Sequence, residues 1–346
     1  MATTDTFTKL ERDTELWFFD GNVVLITQGN VAFRVHKGVL ALHAEFFAGM
    51  FQDSLLVPHG PNGEETIEGC PIIPLDDPAY DIRQFLLVMY RKRYLKTAED
   101  TTFPVLAALM RVGDKYGAHD LLHECMPQVR QMKPECLLSV KCASEYRSTI
   151  KFAPHHAVEA LHLCRVVGPL TEEPDILIWM LFLCAQLDEH DLRHGTTRAD
   201  GTPEKLSDAD IQQILALKDD LQQRGADALD AVCSFRLQCG FKCEHDEYEE
   251  LWNNPDAGPG QCCEEFDKQV ISMIPQEAKD AYLRGDPFES WVIDKMYEVE
   301  ESCCMCAGCF NAMFQTLFWL RKDCWDELPT LAGIDDDIDW EVTSLG

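Results

Sequence analysis

Sixteen cysteines are the side chains in this sequence best equipped for chemistry, and ten of them fall between Cys233 and Cys324. Two short clusters stand out, Cys239-x3-Cys243-x-His245 and Cys306-x2-Cys309. Zinc takes thiolate or imidazole ligands in a tetrahedron, and a tight turn can deliver two of them. Cys303 and Cys304 are further choices, because Cys303-x2-Cys306 is also a CxxC pair. Cys239, Cys243, Cys306 and Cys309 are therefore candidate ligands of a structural zinc, with His245 able to replace Cys239 or Cys243. A closed shell of four such ligands leaves no open position for catalysis. The competing reading is plainer. The two clusters lie roughly sixty residues apart and follow no standard finger spacing, and free cysteines often serve as small buried hydrophobes.

The other reactive types lean toward structure. Cys262-Cys263 and Cys303-Cys304 suggest a redox switch, but their neighbours are Glu264, Glu265, Glu300 and Glu301. Adjacent negative charge raises a thiol pKa, which is the wrong direction for reactivity. His36 could be cast as a base. At a strand-to-helix junction it reads instead as a structural histidine bonded to backbone groups. His190 and His194 are spaced i, i+4 among Asp188, Glu189 and Asp191, a conceivable metal clip in a stretch polar enough to be a solvated loop or helix end. Asp335-Asp336-Asp337 lacks the glycine and spaced oxygens of a calcium loop. The sequence has no Gly-x-Ser-x-Gly elbow, no Gly-x4-Gly-Lys, no Gly-x-Gly-x-x-Gly after a strand and no His-Glu-x-x-His. Together these absences favour binding over catalysis.

Composition narrows the partners. Sixty acidic residues against 30 basic give a formal net charge of -30, which repels nucleic-acid phosphate and anionic membranes. Hydrophobic residues make up 46% of the 346, enough for two domains with their own cores. Met1–Asp13 is polar and carries no secretory signal, and Ile176–Ala185 is too short to span a bilayer and reads as a buried helix. No Asn-x-Ser/Thr acceptor occurs. An intracellular chain with reduced or metal-bound thiols is expected, in nucleus or cytoplasm.

Stepping along the chain, residues 1–15 read as a flexible arm. Leu16-Trp17-Phe18-Phe19 places four large apolar side chains before the first strand, either on the chain's own core or across a dimer. Val23–Thr27 and Val31, Phe33 and Val35 form a hairpin about Gln28-Gly29-Asn30. Val39, Leu40, Leu42, Phe46, Phe47, Met50 and Phe51 follow at helical spacing. Val57–Gly69 is a loop, Cys70–Leu75 a third strand, and Ile82, Phe85, Leu86, Met89 and Tyr90 an amphipathic helix. Arg91-Lys92-Arg93-Tyr94 makes a small basic corner. Pro104 suits the first turn of a helix carrying Leu106, Leu109, Met110 and Tyr116, and a further helix spans His119–Arg130.

Pro134 marks a boundary. Beyond it the pattern is helical to about Gln223, broken at Pro154, Gly168-Pro169 and Pro174, with a polar surface loop over Asp188–Pro203. Ser207 and Asp210 form a capping-box variant for a helix bearing Ile211, Ile214, Leu215 and Leu221.

Asp20, the stretch Phe33-Arg34-Val35-His36-Lys37-Gly38-Val39-Leu40, and the aromatics Phe46-Phe47 and Phe51 resemble the signature of the BTB/POZ domain over about a third of the chain. That family's order is an aspartate, a hairpin, a phe-x-x-his-basic-x-val-leu stretch and a helix ending in aromatics. The ending, Phe318 to Pro329 with Leu331-Ala332-Gly333 and Trp340, resembles a group of fungal proteins with an N-terminal BTB domain, a helical middle and a cysteine-rich end. No kelch-type repeat follows.

The resemblance implies an α+β BTB/POZ-like domain over 16–132, a helical extension over 133–225, and a mainly α-helical, cysteine-rich region over 226–346. It also implies a non-enzymatic dimerising protein, in many relatives an adaptor that recruits a cullin ubiquitin ligase or a transcriptional corepressor. The residues it points to for binding are Trp17, Phe18, Phe19, Asp20, His36, Val39, Leu42 and Phe46. The alternative function is a metal- or redox-responsive protein acting through its cysteine-rich end.

Overall fold

The structure, a computed structural model, describes residues 10–52, 66–91, 102–134, 150, 152–238, 266–301 and 307–334. Its first part is built on the hairpin. Val23–Gln28 (β2) and Val31–Val35 (β3) pair antiparallel, joined at Gly29 (φ 83°) and Asn30 (φ 61°). Two consecutive left-handed residues give the turn whose twist matches that of its flanking strands. On its other edge β2 pairs in parallel with Cys70–Pro78 (β5). Val23 to Thr27 are all buried, as befits a strand covered on both faces. With Glu11–Trp17 (β1) and the short Thr66–Ile67 (β4), the mixed sheet runs β1-β3-β2-β5-β4.

Two expectations change here. From Glu11 onward the polar stretch assigned to a flexible arm is strand β1, parallel to β3. Its anchors are long-range: Glu11 N–H donates to Asn30 O, and Leu16 is fully buried. The third strand also runs past Leu75 to Pro78, whose fixed φ then leads directly into a helix.

Helices Lys37–His43 (α1), Glu45–Gln52 (α2), Ala79–Tyr90 (α3), Phe103–Tyr116 (α4) and His119–Arg130 (α5) complete this part. Pro104 lies in the first turn of α4, and Gly117 ends that helix at φ 67°, a left-handed cap. The chain continues through His156–Val166 (α6), Gly168–Thr171 (α7), Pro174–Ala185 (α8) and Glu189–His194 (α9).

Residues 188–203, expected as a loop, hold α9 and a hairpin of Thr196–Thr197 (β6) with Pro203–Glu204 (β7). Local bonds explain this. Asp188 Oδ1 accepts from Asp191 N–H at the start of α9, and Gly195 adopts φ 83° where a Cβ would fall 2.1 Å from Glu204 O.

The chain divides into two compact units. The first comprises Met1–Lys133, Arg147–Leu177 and His194–Lys205; the second comprises Pro134–Tyr146, Ile178–Arg193 and Leu206–Gly346. The helical extension is thus shared between them. In the second unit Asp208–Gln238 (α10) begins at Ser207, whose Oγ accepts from Asp210 N–H at 3.1 Å, as its capping pattern indicates. That helix continues well past Gln223 and carries Gly225 within it. Gln276–Arg284 (α11), Trp291–Glu301 (α12) and Ala307–Leu331 (α13) follow. Trp179, Phe182, Phe288 and Trp325 meet in this unit with ring centroids 4.7–6.1 Å apart, all fully buried. Gly225 lets α10 approach α11 closely enough that a Cβ would lie 2.0 Å from Tyr282 O. Ile176–Ala185 is a buried helix, and among the described residues no helix is long and apolar enough to cross a membrane.

Candidate protein-interaction surface

Phe18 to Asn22 form a turn held by backbone hydrogen bonds at Phe18, Gly21 and Asn22. Phe18 N–H donates to Arg34 O, Gly21 N–H to Phe18 O and Asn22 N–H to Val35 O. Gly21 O accepts from Arg34 Nε at 3.0 Å and from the Cys70 thiol at 3.2 Å. Asn22 Oδ1 in turn accepts from Lys37 N–H at 2.8 Å, at the start of α1.

His36 closes the same turn from below. Its backbone N–H donates to Tyr90 Oη, and its Nδ1 lies 3.0 Å from the same oxygen. The phenol accepts the backbone proton and keeps its own O–H to give, so the tautomer with its proton on Nε2 lets Nδ1 accept from it. That proton faces Asp20 Oδ1 at 3.3 Å. Phe18 stacks on Tyr90 with centroids 4.6 Å apart. Burial, with a contribution from the Asp20 charge, holds the Tyr90 phenol above its ordinary pKa. Both imidazole nitrogens of His36 are engaged, which supports its reading as a structural histidine.

What this scaffold presents is Phe19, 88% exposed. Rigid backbone around a large apolar side chain in water is not needed by the core. On α1, Leu40 points inward while Val39 is half-buried and Leu42, three residues on, is 78% exposed. Phe46 on α2 is 48% exposed, with its ring against Phe47 and Tyr116. Trp17 is placed differently. It packs on Val24, Ile26 and Ala32, with the Arg12 guanidinium 4.5 Å above its ring.

Sequence reasoning passed over a buried ionic cluster in the same unit. Arg111 on α4 bonds both oxygens of Asp81 on α3, at 2.8 and 3.1 Å, and reaches Glu159 on α6. Arg198 pairs with Glu204 and approaches Glu159 at 3.9 Å. The available signal was a charged residue inside an otherwise apolar run, as Glu159 is between Val158 and Ala160.

Nearby, a shallow hollow of about 540 Å³ is lined by Thr102, Pro104, Phe152, Ala153 and His156. Burial, then the adjacent His155, lowers the His156 pKa to about 4, and its Nδ1 accepts from Ala153 N–H.

Of the candidate zinc ligands, Cys239, Cys243, His245 and Cys306 lie outside the described residues, as do Cys262, Cys263, Cys303 and Cys304. Cys309 is buried in the first turns of α13. Burial pushes the thiols of Cys125, Cys164 and Cys324 up to about 12, so they are poor nucleophiles at neutral pH. The carboxylates of Asp188 and Asp191 come together with His190 but not with His194, and Asp188 serves as the cap of α9.

No curated protein is significantly similar to this chain. A family model for the BTB/POZ domain matches residues 18–133, which take in the Asp20–His36–Tyr90 arrangement, strands β2 to β5 and helices α1 to α5. The chain is therefore a BTB/POZ domain-containing protein, with a mostly helical region after that domain.

Proposed function

We propose that this protein is a non-enzymatic adaptor that self-associates through its BTB/POZ domain, a protein–protein interaction module. One observation carries the reading: Phe19 stands 88% exposed on a turn whose backbone is bonded at Phe18, Gly21 and Asn22, with Leu42 likewise exposed on α1. Burying two such side chains is worth about 1.5–3 kcal/mol each. A second copy of the chain can cover them, because a two-fold interface presents the same patch from both sides. Val39 and Phe46 would extend the contact, whereas Trp17 supports it from behind. Cullin or corepressor recruitment is the finer reading, and cullin binding is expected to be weak. The relatives that serve best as ligase adaptors follow the domain with a helical pair that deepens the cullin groove, and here Pro154 interrupts the stretch Pro134–Leu163.

Sedimentation equilibrium on the full chain tests the self-association. A dimer at micromolar concentration is expected, and Phe19→Asp with Leu42→Asp should weaken it by about a thousandfold, the scale of two interface hot spots of about 2 kcal/mol each. A wild-type chain that stays monomeric at tens of micromolar would reject the proposal.

A further inference from the structure

Among the described residues, the ionic cluster of the first unit does not balance. Asp81, Glu159 and Glu204 are each at least nine-tenths buried. Against these three carboxylates stand two guanidiniums, Arg111 and Arg198, with side chains 16% and 15% exposed. The sixth member is His162, one turn along α6 from Glu159, with Nδ1 3.4 Å from Glu204 Oε1 and its side chain 43% exposed. These are the charged groups that α3, α4, α6 and the β6–β7 hairpin direct at Glu159. With His162 neutral, the cluster carries one uncompensated negative charge in a poorly solvated place, which is costly.

We propose that the β6–β7 hairpin is a proton-linked latch: closing it on α6 takes about one proton into a buried cluster of three carboxylates and two guanidiniums. Opening the hairpin withdraws Arg198 and Glu204 and returns Glu159 to water. Closing it desolvates Glu159, and burial is the largest influence on that carboxyl, raising its pKa above the usual value. The sign follows directly. A group whose pKa is raised in the closed state contributes stability below its open-state value and loses it as pH rises through the closed-state value. Acid closes the latch and base loosens it. The linked proton belongs to the coupled cluster around Glu159.

Hydrogen exchange on the full chain reads this locally. Protection of residues 196–204 is measured between about pH 5 and about pH 8, corrected for intrinsic exchange and divided by the protection of β2. The ratio should fall at least about fivefold as pH rises, one proton permitting at most tenfold per pH unit. His156 responds in the opposite sense on acidification, and division by β2 removes its effect on the unit as a whole. Glu159→Gln brings the count to two against two. It should flatten the pH dependence and leave the hairpin at high pH as protected as wild type is at low pH. A flat wild-type profile overturns the latch. So does a Glu159→Gln chain that is less protected at every pH or does not fold, because the carboxylate would then be a needed partner of Arg111.

Discussion

At Gly21 an added Cβ would lie 2.9 Å from Arg34 Cγ and 3.1 Å from the Arg34 backbone. The turn that displays Phe19 therefore requires glycine for space rather than for torsion. Gly21→Ala should cost about 1–3 kcal/mol, as overpacking does, and should lower the melting temperature of the full chain. Tyr90→Phe removes the acceptor of the His36 N–H and the partner of Nδ1. A loss of about 1–2 kcal/mol is expected from the unmet bonds, and an unchanged thermal midpoint would show that water replaces the phenol. Asp20 and His36 were legible through the resemblance to the BTB/POZ signature, because they flank one hairpin in sequence. Their partner was not: Tyr90 lies 54 residues from His36 and joins it only once α3 packs beneath the sheet. Arg111 and Glu159, 48 residues apart, escaped for the same reason, since pairing of buried charges leaves no periodic signal.

Two helical glycines make opposite predictions for the same substitution. Gly38 in α1 has nothing within 4 Å of an added Cβ, so Gly38→Ala should stabilise by about 0.5–1 kcal/mol through helix propensity. Gly225 in α10 has Tyr282 O at 2.0 Å from that position, and backbone cannot rotate aside. Gly225→Ala should destabilise by about 3 kcal/mol, read as a drop in the denaturation midpoint. Equal effects would mean that α10 and α11 separate freely. Elements with strong periodicity were readable: the hairpin, α3, α4, α5 and the start of α10 match what spacing indicates. The exceptions share a cause. β1 is polar because one edge of it is open, and residues 188–203 are polar because their order comes from caps and from the Arg198–Glu204 pair, so neither shows an apolar rhythm. The helical reading stopped at about Gln223, whereas α10 runs on to Gln238, with Gly225 inside it serving as a close contact.

For the whole molecule, the matched domain ends at 133 but the compact unit does not. That unit gathers its last pieces from 147–177 and 194–205, and the chain passes between the two units five times, at 133/134, 146/147, 177/178, 193/194 and 205/206. Cutting after 133 removes α6, whose Ala157, Val158 and Leu161 are fully buried, and takes Glu159 away from Arg111. Cutting after 205 keeps those contacts yet strands Trp179 and Phe182, whose partners Phe288 and Trp325 come later in sequence. Unburying a large aromatic side chain of this kind costs about 3–5 kcal/mol, a large share of a domain's stability. Both truncations should therefore bind a hydrophobic dye and lose near-ultraviolet circular dichroism, while the full chain does neither. A fragment of residues 1–133 that is monodisperse, dye-free and as heat-resistant as the full chain would show that the domain stands alone and that α6 is only a passenger.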